Sequence, residues 1–317
     1  MRAATIRDKE IVIEEHPDPA AGLGEVLVRV HAAGLNGADM MQRRGLYPAP
    51  PGFPQDIPGM EFAGEVVALG PHPPGTERFS VGDRVMGIVG GGAQAELLTL
   101  NERLLMPVPR SLDWVQGGGL PEVFTTAHDA LCDQAELRPG ERLLVHGGAG
   151  GVGTAAIQLA GAIGARVTAT VRNEQLRAQV AALGAEVIEP EDFGEHGPFD
   201  VILELVGAPN MGENLQALAT RGRITVIGVS AGAKTELNLL ALMGKRARIF
   251  GSTLRARPAE EKALAARRLE HEVLPLFEGS PPALTVPIAQ TFPLAQAAAA
   301  YDSFAAGGKL GKIVLVV

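Results

Sequence analysis

The chain has 317 residues, of which 46% are hydrophobic and 20% are charged, and its formal net charge at pH 7 is -8. A chain of this length is expected to form about two domains and to bury a core without disulfides. Its basic residues are scattered rather than clustered, which argues against nucleic acid as a partner. The sequence has no apolar run of about 18 residues and no signal-peptide pattern, so we expect a cytoplasmic protein that does not contact membranes.

The first 120 residues are typical of a β-rich domain. Short segments of alternating apolar and polar residues lie between glycines and prolines. They predict strands at 25–30, 61–67, 83–89 and 95–100. This pattern indicates an irregular β-barrel.

The pattern changes near residue 121, where apolar strands begin to alternate with helices. The predicted strands lie at 142–146, 166–171, 200–205 and 222–228. The predicted helices lie at 153–163, 174–183 and 210–219. Such alternation indicates βαβ units and a doubly wound parallel sheet. We therefore predict an α/β protein with a Rossmann domain at 121–257 and a β-barrel domain formed by 1–120 and the tail at 258–317.

A glycine-rich turn follows the first predicted strand of the second domain and opens a helix. Its spacing is Gly148-x-Gly150-x-x-Gly153, with Gly151 and Val152 completing the turn. In such a turn the first glycine permits tight backbone geometry, the second lets the backbone approach a pyrophosphate, and the third allows helix and strand to pack closely. The alternative is an ordinary tight turn, but the strand before it and the helix after it favour a dinucleotide site.

The end of the second strand bears on which dinucleotide binds. Arg172 and Asn173 lie about 20 residues after the turn, where an acidic residue would select NAD by binding the ribose 2'-hydroxyl. The planar guanidinium of Arg172 suits a 2'-phosphate, so NADPH is the predicted cofactor. Arg172 as a solvated surface residue, and Glu174 as a ribose acceptor that would favour NADH, are the alternatives.

Five segments resemble a known family: GLGEVLV at 22–28, GLNGAD at 34–39, GMEFAGEV at 59–66, HGGAGGVGTAAIQL at 146–159 and GKLGKIV at 308–314. On these segments, and on MMQRRGLY at 40–47, the chain resembles the medium-chain dehydrogenase/reductase superfamily and its zinc-free quinone oxidoreductases. The resemblance covers nearly the whole length. It implies a GroES-like barrel domain beside the Rossmann domain, a cleft between them, and a homodimer formed by edge pairing of the strand near 247–252.

The resemblance also bears on metal binding. Zinc-containing members of the superfamily bind catalytic zinc with a cysteine and a histidine where this chain has Asn36 and Met60. The only cysteine, Cys132, cannot form a four-cysteine zinc site, and the seven histidines are isolated along the sequence. We therefore expect no metal.

Hydride transfer to an acceptor that is already electrophilic is the expected chemistry without a metal. A quinone or a conjugated enone fits, because its own conjugation stabilises the arriving charge. Tyr47, in a proline-rich loop, is predicted to stack on the acceptor or to donate a proton, or else to pack structurally. Asn36 is predicted to lie near the nicotinamide or to satisfy loop backbone, and Asp39 to have a structural role.

Further cofactor contacts are implied only by the resemblance. They are placed near the nicotinamide ribose, at the ends of Rossmann strands and near the carboxamide. These residues are Thr126, Val206, Gly207, Gly228, Val229, Phe250, Ser252 and Lys312.

The leading hypothesis is an NADPH-dependent quinone reductase. An enoyl or alkenal reductase acting on a conjugated carbon-carbon double bond is the alternative enzyme, and it would need a proton delivered to the adjacent carbon. A non-enzymatic binding or structural role, of the kind known for the zeta-crystallins of this family, is a third hypothesis. Glu189-Pro190 and Met41 depart from residues common in the family, which leaves the cofactor preference and the acceptor open.

Overall fold

The computed structural model of the chain describes residues 1–73, 75–280 and 283–317. The chain divides into two compact units. Unit 1 consists of Met1–Thr125, Leu254–Gly307 and Lys312–Val317, and unit 2 consists of Thr126–Thr253 and Gly308–Gly311.

The described strands, numbered in chain order, are β1 (Arg2–Arg7), β2 (Glu10–Glu15), β3 (Glu25–Gly34), β4 (Glu61–Leu69), β5 (Arg84–Ile88), β6 (Leu97–Asn101), β7 (Leu105–Pro107), β8 (Arg142–Val145), β9 (Arg166–Thr170), β10 (Glu186–Ile188), β11 (Phe199–Glu204), β12 (Leu218–Val226), β13 (Arg248–Gly251), β14 (Ile288–Pro293) and β15 (Lys312–Val316). The described α-helices are α1 (Gly37–Arg43), α2 (Trp114–Gly118), α3 (Pro121–His128), α4 (Gly151–Ile163), α5 (Glu174–Ala181), α6 (Met211–Ala217), α7 (Leu239–Lys245), α8 (Ala259–Arg268) and α9 (Ala297–Ala306). A π-helical turn continues α3 at Asp129–Gln134, and another continues α8 at Leu269–Val273.

Unit 1 is built on a seven-stranded sheet. Its strand order is β14-β15-β3-β4-β5-β7, with β6 also paired to β3. Val26, Val28 and Val30 alternate along β3 and are buried, because successive side chains of a strand point to opposite faces and one face covers the core. The last strand, β15, pairs antiparallel with β3, so the C-terminal strand lies within the sheet of the N-terminal residues.

Unit 2 contains a six-stranded parallel sheet. The strand order is β10-β9-β8-β11-β12-β13, which is the 3-2-1-4-5-6 order of a Rossmann fold. The middle of the sheet is apolar, and Leu143, Leu144 and Val145 of β8 are fully buried. The prediction of a doubly wound parallel sheet is confirmed.

Two elements of unit 2 differ from the sequence-based expectation. The helix predicted at 210–219 ends at Ala217, because β12 begins at Leu218 and pairs with Phe199 before a register shift. The edge strand β10 was not predicted, since three residues are too few to show an alternating pattern.

The segment Gly308–Gly311 belongs to unit 2, although the predicted division assigned it to the barrel domain. The backbone N–H of Gly311 donates to the carbonyl of Ala149 at 2.8 Å, and Gly150 and Gly311 form an isolated parallel bridge. Backbone pairing over a long sequence separation leaves no periodic pattern, which is why the sequence did not indicate it.

A buried arginine joins β12 to the segment that precedes β8. The guanidinium of Arg223 donates to both carboxylate oxygens of Glu141 at 2.8 Å, and its Nε donates to the carbonyl of Ala135 at 2.8 Å. Removing one member of a buried ion pair leaves the partner without its donors, which costs more than the pair contributes. Arg223 should therefore be a strong determinant of the stability of unit 2.

We predict that Arg223→Met lowers the free energy of unfolding by about 3 kcal/mol, as measured by urea denaturation at pH 7. The matched control is Arg138→Met, because Arg138 is exposed and its contact with Glu136 is a long 3.7 Å ion pair. That variant should change stability by less than about 0.5 kcal/mol. Equal losses in the two variants would contradict the role given to Arg223.

Candidate functional site

The glycine-rich turn of unit 2 joins β8 to α4, and two of its glycines are required by packing. A Cβ on Gly153 would lie 2.4 Å from the carbonyl oxygen of Gly147, and a Cβ on Gly148 would lie 2.8 Å from the Cβ of Ala169. At Gly150 the nearest atom to an added Cβ is 3.5 Å away. A side chain at Gly150 would therefore fit the protein but occupy the open side of the turn.

The first turn of α4 offers unpaired backbone donors beside that open side. The first hydrogen bond of the helix runs from the N–H of Thr154 to the carbonyl of Gly150 at 2.8 Å. The N–H groups of Gly151, Val152 and Gly153 therefore have no partner in the described chain. Helix α4 has 13 residues, and its dipole places partial positive charge at this end. These residues fit the diphosphate of a dinucleotide.

The end of β9 supplies an uncommitted cation. Arg172 is exposed and forms no ion pair with any described residue, whereas the neighbouring Arg177 pairs with Glu189 at 2.8 Å. Asn173 begins α5, and its side chain accepts from the N–H of Gln175 at 3.0 Å. Arg172 is therefore the side chain at this strand end that is free to bind a ligand.

A buried carboxylate fixes the loop after β11. Oε1 of Glu204 accepts from the N–H groups of Val206 at 2.7 Å and Gly207 at 2.8 Å, and Oε2 accepts from the side chain of Asn214 at 2.6 Å. Nε2 of His146 lies 2.7 Å from Oδ1 of Asn214. Burial lowers the pKa of His146, so the ring is neutral and this nitrogen carries the proton that it donates. Sequence analysis did not single out Glu204, although a carboxylate directly after the apolar run Val201–Leu203 was a signal.

The remaining predicted residues of unit 2 were placed as follows. Gly228 follows β12, and a Cβ there would lie 2.3 Å from the carbonyl oxygen of Leu205, while Val229 beside it is exposed. Phe250 lies in β13, and the hydroxyl of Ser252 just after it lies 2.6 Å from a carboxylate oxygen of Asp129. Thr126 is buried in α3.

All strands of this sheet are parallel, so the segments that follow β8, β9, β11, β12 and β13 meet at one edge. Each strand end carries at least one predicted cofactor residue. This edge is where open α/β sheets bind ligands.

Lys312, which the resemblance predicts to contact the cofactor, is the first residue of β15 in unit 1. Its ammonium group is buried and lies 2.6 Å from Oε1 of Glu61, 2.7 Å from Oδ1 of Asn36 and 2.7 Å from the carbonyl oxygen of Leu35. The three N–H donors of the ammonium are thus all used. The amide of Asn36 also donates to Oε1 of Glu61 at 2.9 Å, which closes a buried Asn36–Glu61–Lys312 cluster.

Asp39 supports the loop that carries this cluster. Its carboxylate accepts from the N–H of Asn36 at 2.8 Å and from the N–H of Gly59 at 3.1 Å. Burial raises the pKa of Asp39 to about 6, and these two backbone hydrogen bonds oppose the rise. The structure thus gives Asp39 the structural contacts that were predicted for it.

A buried arginine holds the loop of Tyr47 and was missed by sequence analysis. Arg255 donates to the carbonyls of Tyr47 at 2.9 Å and Gly90 at 2.8 Å, and to Oε1 of Gln42 at 2.5 Å. Its guanidinium carbon also lies 5.0 Å from the centre of the Tyr47 ring. Tyr47 is half-buried, its hydroxyl has no hydrogen-bond partner among the described residues, and burial raises its pKa, so the hydroxyl stays protonated.

Glu122, at the start of α3, is a third carboxyl group near the cluster. Its backbone N–H donates to Oε2 of Glu61 at 2.8 Å. Its own Oε2 is buried and accepts no hydrogen bond from a described residue. Burial, and then the charge of Glu61, raises the pKa of Glu122 to about 8.

The described residues contain no group of three or more His, Cys, Asp or Glu side chains placed to hold a metal ion. Within the same residues, none of the helices has the length and apolar character needed to cross a membrane.

Comparisons with known proteins agree with this geometry. A family model described as an alcohol dehydrogenase GroES-like domain matches residues 22–110, and one described as a zinc-binding dehydrogenase matches residues 151–270. The quinone oxidoreductase of Rattus norvegicus is 33% identical over 314 residues, covering 94% of this chain and 91% of the relative.

Solved structures extend the likeness to the whole chain. An alcohol dehydrogenase superfamily protein from Novosphingobium aromaticivorans superposes with a TM-score of 0.88 at 32% identity, covering 100% of this chain and 99% of the other. A mycobacterial protein solved in complex with NADPH superposes with a TM-score of 0.85 at 28% identity and full coverage of both chains. The chain belongs to the medium-chain dehydrogenase/reductase superfamily.

Proposed function

We propose that the chain is an NADPH-dependent reductase that transfers a hydride to a quinone without a metal ion. The observation that carries this proposal is the glycine-rich turn, where Gly150 leaves open space in front of the unpaired N–H groups of α4. The identity shared with a quinone oxidoreductase over most of the chain supports the acceptor class.

The end of β9 supports NADPH over NADH. NADPH supplies a hydride from the C4 atom of its nicotinamide. Arg172, exposed and without an ion-pair partner among the described residues, would bind the 2'-phosphate, while the first turn of α4 would bind the diphosphate. Glu204 would hold the backbone of Val206 and Gly207 in place for the ribose and nicotinamide.

The absence of a metal is proposed from the chemistry of the residues in unit 1. Asn36 and Met60 are poor zinc ligands, and the ammonium of Lys312 already neutralises Glu61 at 2.6 Å. A divalent cation beside Lys312 would be repelled by it. Asn36, whose amide is used by Glu61 and Lys312, is proposed to hold this pair rather than to react.

Tyr47 is the group in unit 1 that we propose to meet the acceptor. Its hydroxyl is protonated and uncommitted among the described residues, and its ring is held by Arg255. For a quinone, the ring would stack on the acceptor and the hydroxyl would donate a hydrogen bond to a carbonyl oxygen. For an enone, the alternative acceptor, the same hydroxyl would have to give a proton to carbon.

We predict that Arg172→Ala weakens NADPH binding by about tenfold, which corresponds to one lost charge-assisted contact of about 1.4 kcal/mol, and leaves NADH binding unchanged. Calorimetric titration with each nucleotide measures both values. The matched control is Arg166→Ala, which removes an exposed arginine at the opposite end of the same strand. Equal weakening of NADPH and NADH, or the same loss in the control, would refute the role of Arg172.

Tyr47→Phe is predicted to distinguish the two acceptor classes. With a quinone, kcat should fall less than about threefold, because the ring remains and only one hydrogen bond is lost. With an enone as the true acceptor, loss of the proton donor should lower kcat by about 100-fold. NADPH oxidation is followed with both acceptors, and a large loss with the quinone would favour the alkenal or enoyl reductase.

We also propose a homodimer that forms along β13. This strand is at the edge of the unit 2 sheet, so its outer backbone groups are unpaired there. The preceding helix α7 exposes Leu239, Leu240 and Met243, at 64%, 80% and 68% of their surface. An apolar patch beside a sheet edge fits a second copy of the same sheet.

The dimer is tested with the double variant Leu240→Glu and Met243→Glu. Light scattering after gel filtration should give a dimer for the parent protein and a monomer near 33.0 kDa for the variant, because charge at the patch opposes burial. Leu264→Glu, at an exposed leucine of unit 1, is the control and should stay dimeric. A monomeric parent protein would contradict the proposal.

A further inference from the structure

We propose that Glu122 is the proton donor of this enzyme: its carboxylic acid supplies the proton that completes reduction of the acceptor. This inference rests on the proposed function, which gives Tyr47 a hydrogen bond to the quinone but names no residue that supplies the proton. The supporting observation is how hydrogen-bond donors are distributed among the carboxyl groups of Asp39, Glu61 and Glu122.

Two neighbouring carboxyl groups are supplied with donors that favour the charged form. Asp39 accepts from two backbone N–H groups. Glu61 lies 2.6 Å from the ammonium of Lys312 and also accepts from the amide of Asn36 and the N–H of Glu122. Oε2 of Glu122 is buried and has no donor among the described residues. Of these three carboxyl groups, Glu122 is thus the one whose surroundings disfavour a negative charge.

The buried cations near Glu122 are directed elsewhere. The ammonium of Lys312 is used by Leu35, Asn36 and Glu61, and the guanidinium of Arg255 is used by Gly90, Tyr47 and Gln42. Both cations act on Glu122 only through their positive charge, which lowers its pKa. Burial and the negative charges of Glu61 and Asp39 raise it. Burial remains the largest effect, so the pKa of Glu122 is raised to about 8 and the group is mostly neutral at pH 7.

Glu122 has a polar neighbour on the same side of α3. Thr125 lies one turn further on, and its hydroxyl is buried without a partner among the described residues. Thr125 lines a small pocket whose other walls include Ile88, Met106, Leu254 and Lys262. Burial lowers the pKa of Lys262 and raises the pKa of Tyr47, and the negative charge of Glu122 raises both.

The reduction requires one proton in addition to the hydride. A quinone that takes a hydride gains a bond to hydrogen and one negative charge, which its second oxygen carries. We assign transfer of the Glu122 carboxyl proton to that oxygen, which breaks the O–H bond of the acid and leaves a carboxylate. Lys312, Lys262 and Arg255 lower the cost of this transient charge, and a proton from solvent then restores the acid.

The sign of the pH dependence follows from this role. A donor must hold its proton, so kcat should be highest below the pKa of Glu122 and should fall as the pH rises through about 8. We predict that Glu122→Gln lowers kcat by about 100-fold, abolishes this alkaline fall and reduces the solvent deuterium isotope effect. Glu122→Asp should restore part of kcat and a pH-dependent profile. The KM for NADPH should change little in either variant.

Glu102→Gln is the matched control, because Glu102 is another carboxyl of unit 1, is buried, and bonds to the N–H of Arg78, away from the Glu61 cluster. It should keep the parent pH profile. If Glu122→Gln keeps the parent kcat and alkaline fall while the parent protein reduces the quinone, Glu122 is not the proton donor.

A second measurement needs no turnover. The infrared spectrum of the protein without nucleotide should show a protonated carboxylic acid band at pH 7 that is absent in Glu122→Gln and declines as the pH rises through about 8. Absence of that band overturns the proposal even if the enzyme is active. A parent protein that shows the band but oxidises NADPH with neither a quinone nor an enone would refute the proposed function, and with it the step assigned to Glu122, while leaving the neutral acid established.

Discussion

The buried ion pair between Glu61 and Lys312 is the interaction on which unit 1 depends. It joins β4 to β15, which are far apart in the chain, and because both side chains are buried, water screens their 2.6 Å contact little. Removing one member of such a pair leaves a buried charge, so both must be retained together. The pair also determines the state of its neighbours, because it fixes the amide of Asn36 and places a negative charge beside Glu122.

Unit 2 depends on a different constraint, which is the parallel direction of its strands. Parallel pairing brings the carboxyl ends of the strands to one edge, so residues distant in sequence can share one ligand. The tight turn at Gly148 and Gly153 brings α4 close to the sheet, while Glu204 organises the loop at the end of the adjacent strand β11. The two units thus offer separable chemistry: one has an anion site suited to a dinucleotide, and the other has a buried cluster able to hold a proton.

The features that could be predicted from sequence are those whose residues are contiguous in the chain. The turn at Gly148–Gly153 was predictable because the strand, the glycines and the helix are contiguous, and the parallel sheet followed from the alternation of strands and helices. Arg255 and Glu122 were not assigned roles, because Arg255 bonds to Gln42 and Glu122 to Glu61, which are far away in the chain. Glu204 was missed although its partners Val206, Gly207 and Asn214 are close in sequence. Lys312 shows the same limit, since only the pairing of β15 with β3 brings its ammonium to Glu61.

The most direct test of the account is a titration of the unmodified protein with NADPH and with NADH, followed by addition of a simple para-quinone. The account predicts that NADPH binds more tightly than NADH, stays reduced while bound alone, and is oxidised one for one when the quinone is added. Failure of both nucleotides to bind would contradict the assignment of the glycine-rich turn. Tight binding of NADPH with no oxidation by the quinone would contradict the assignment of the acceptor.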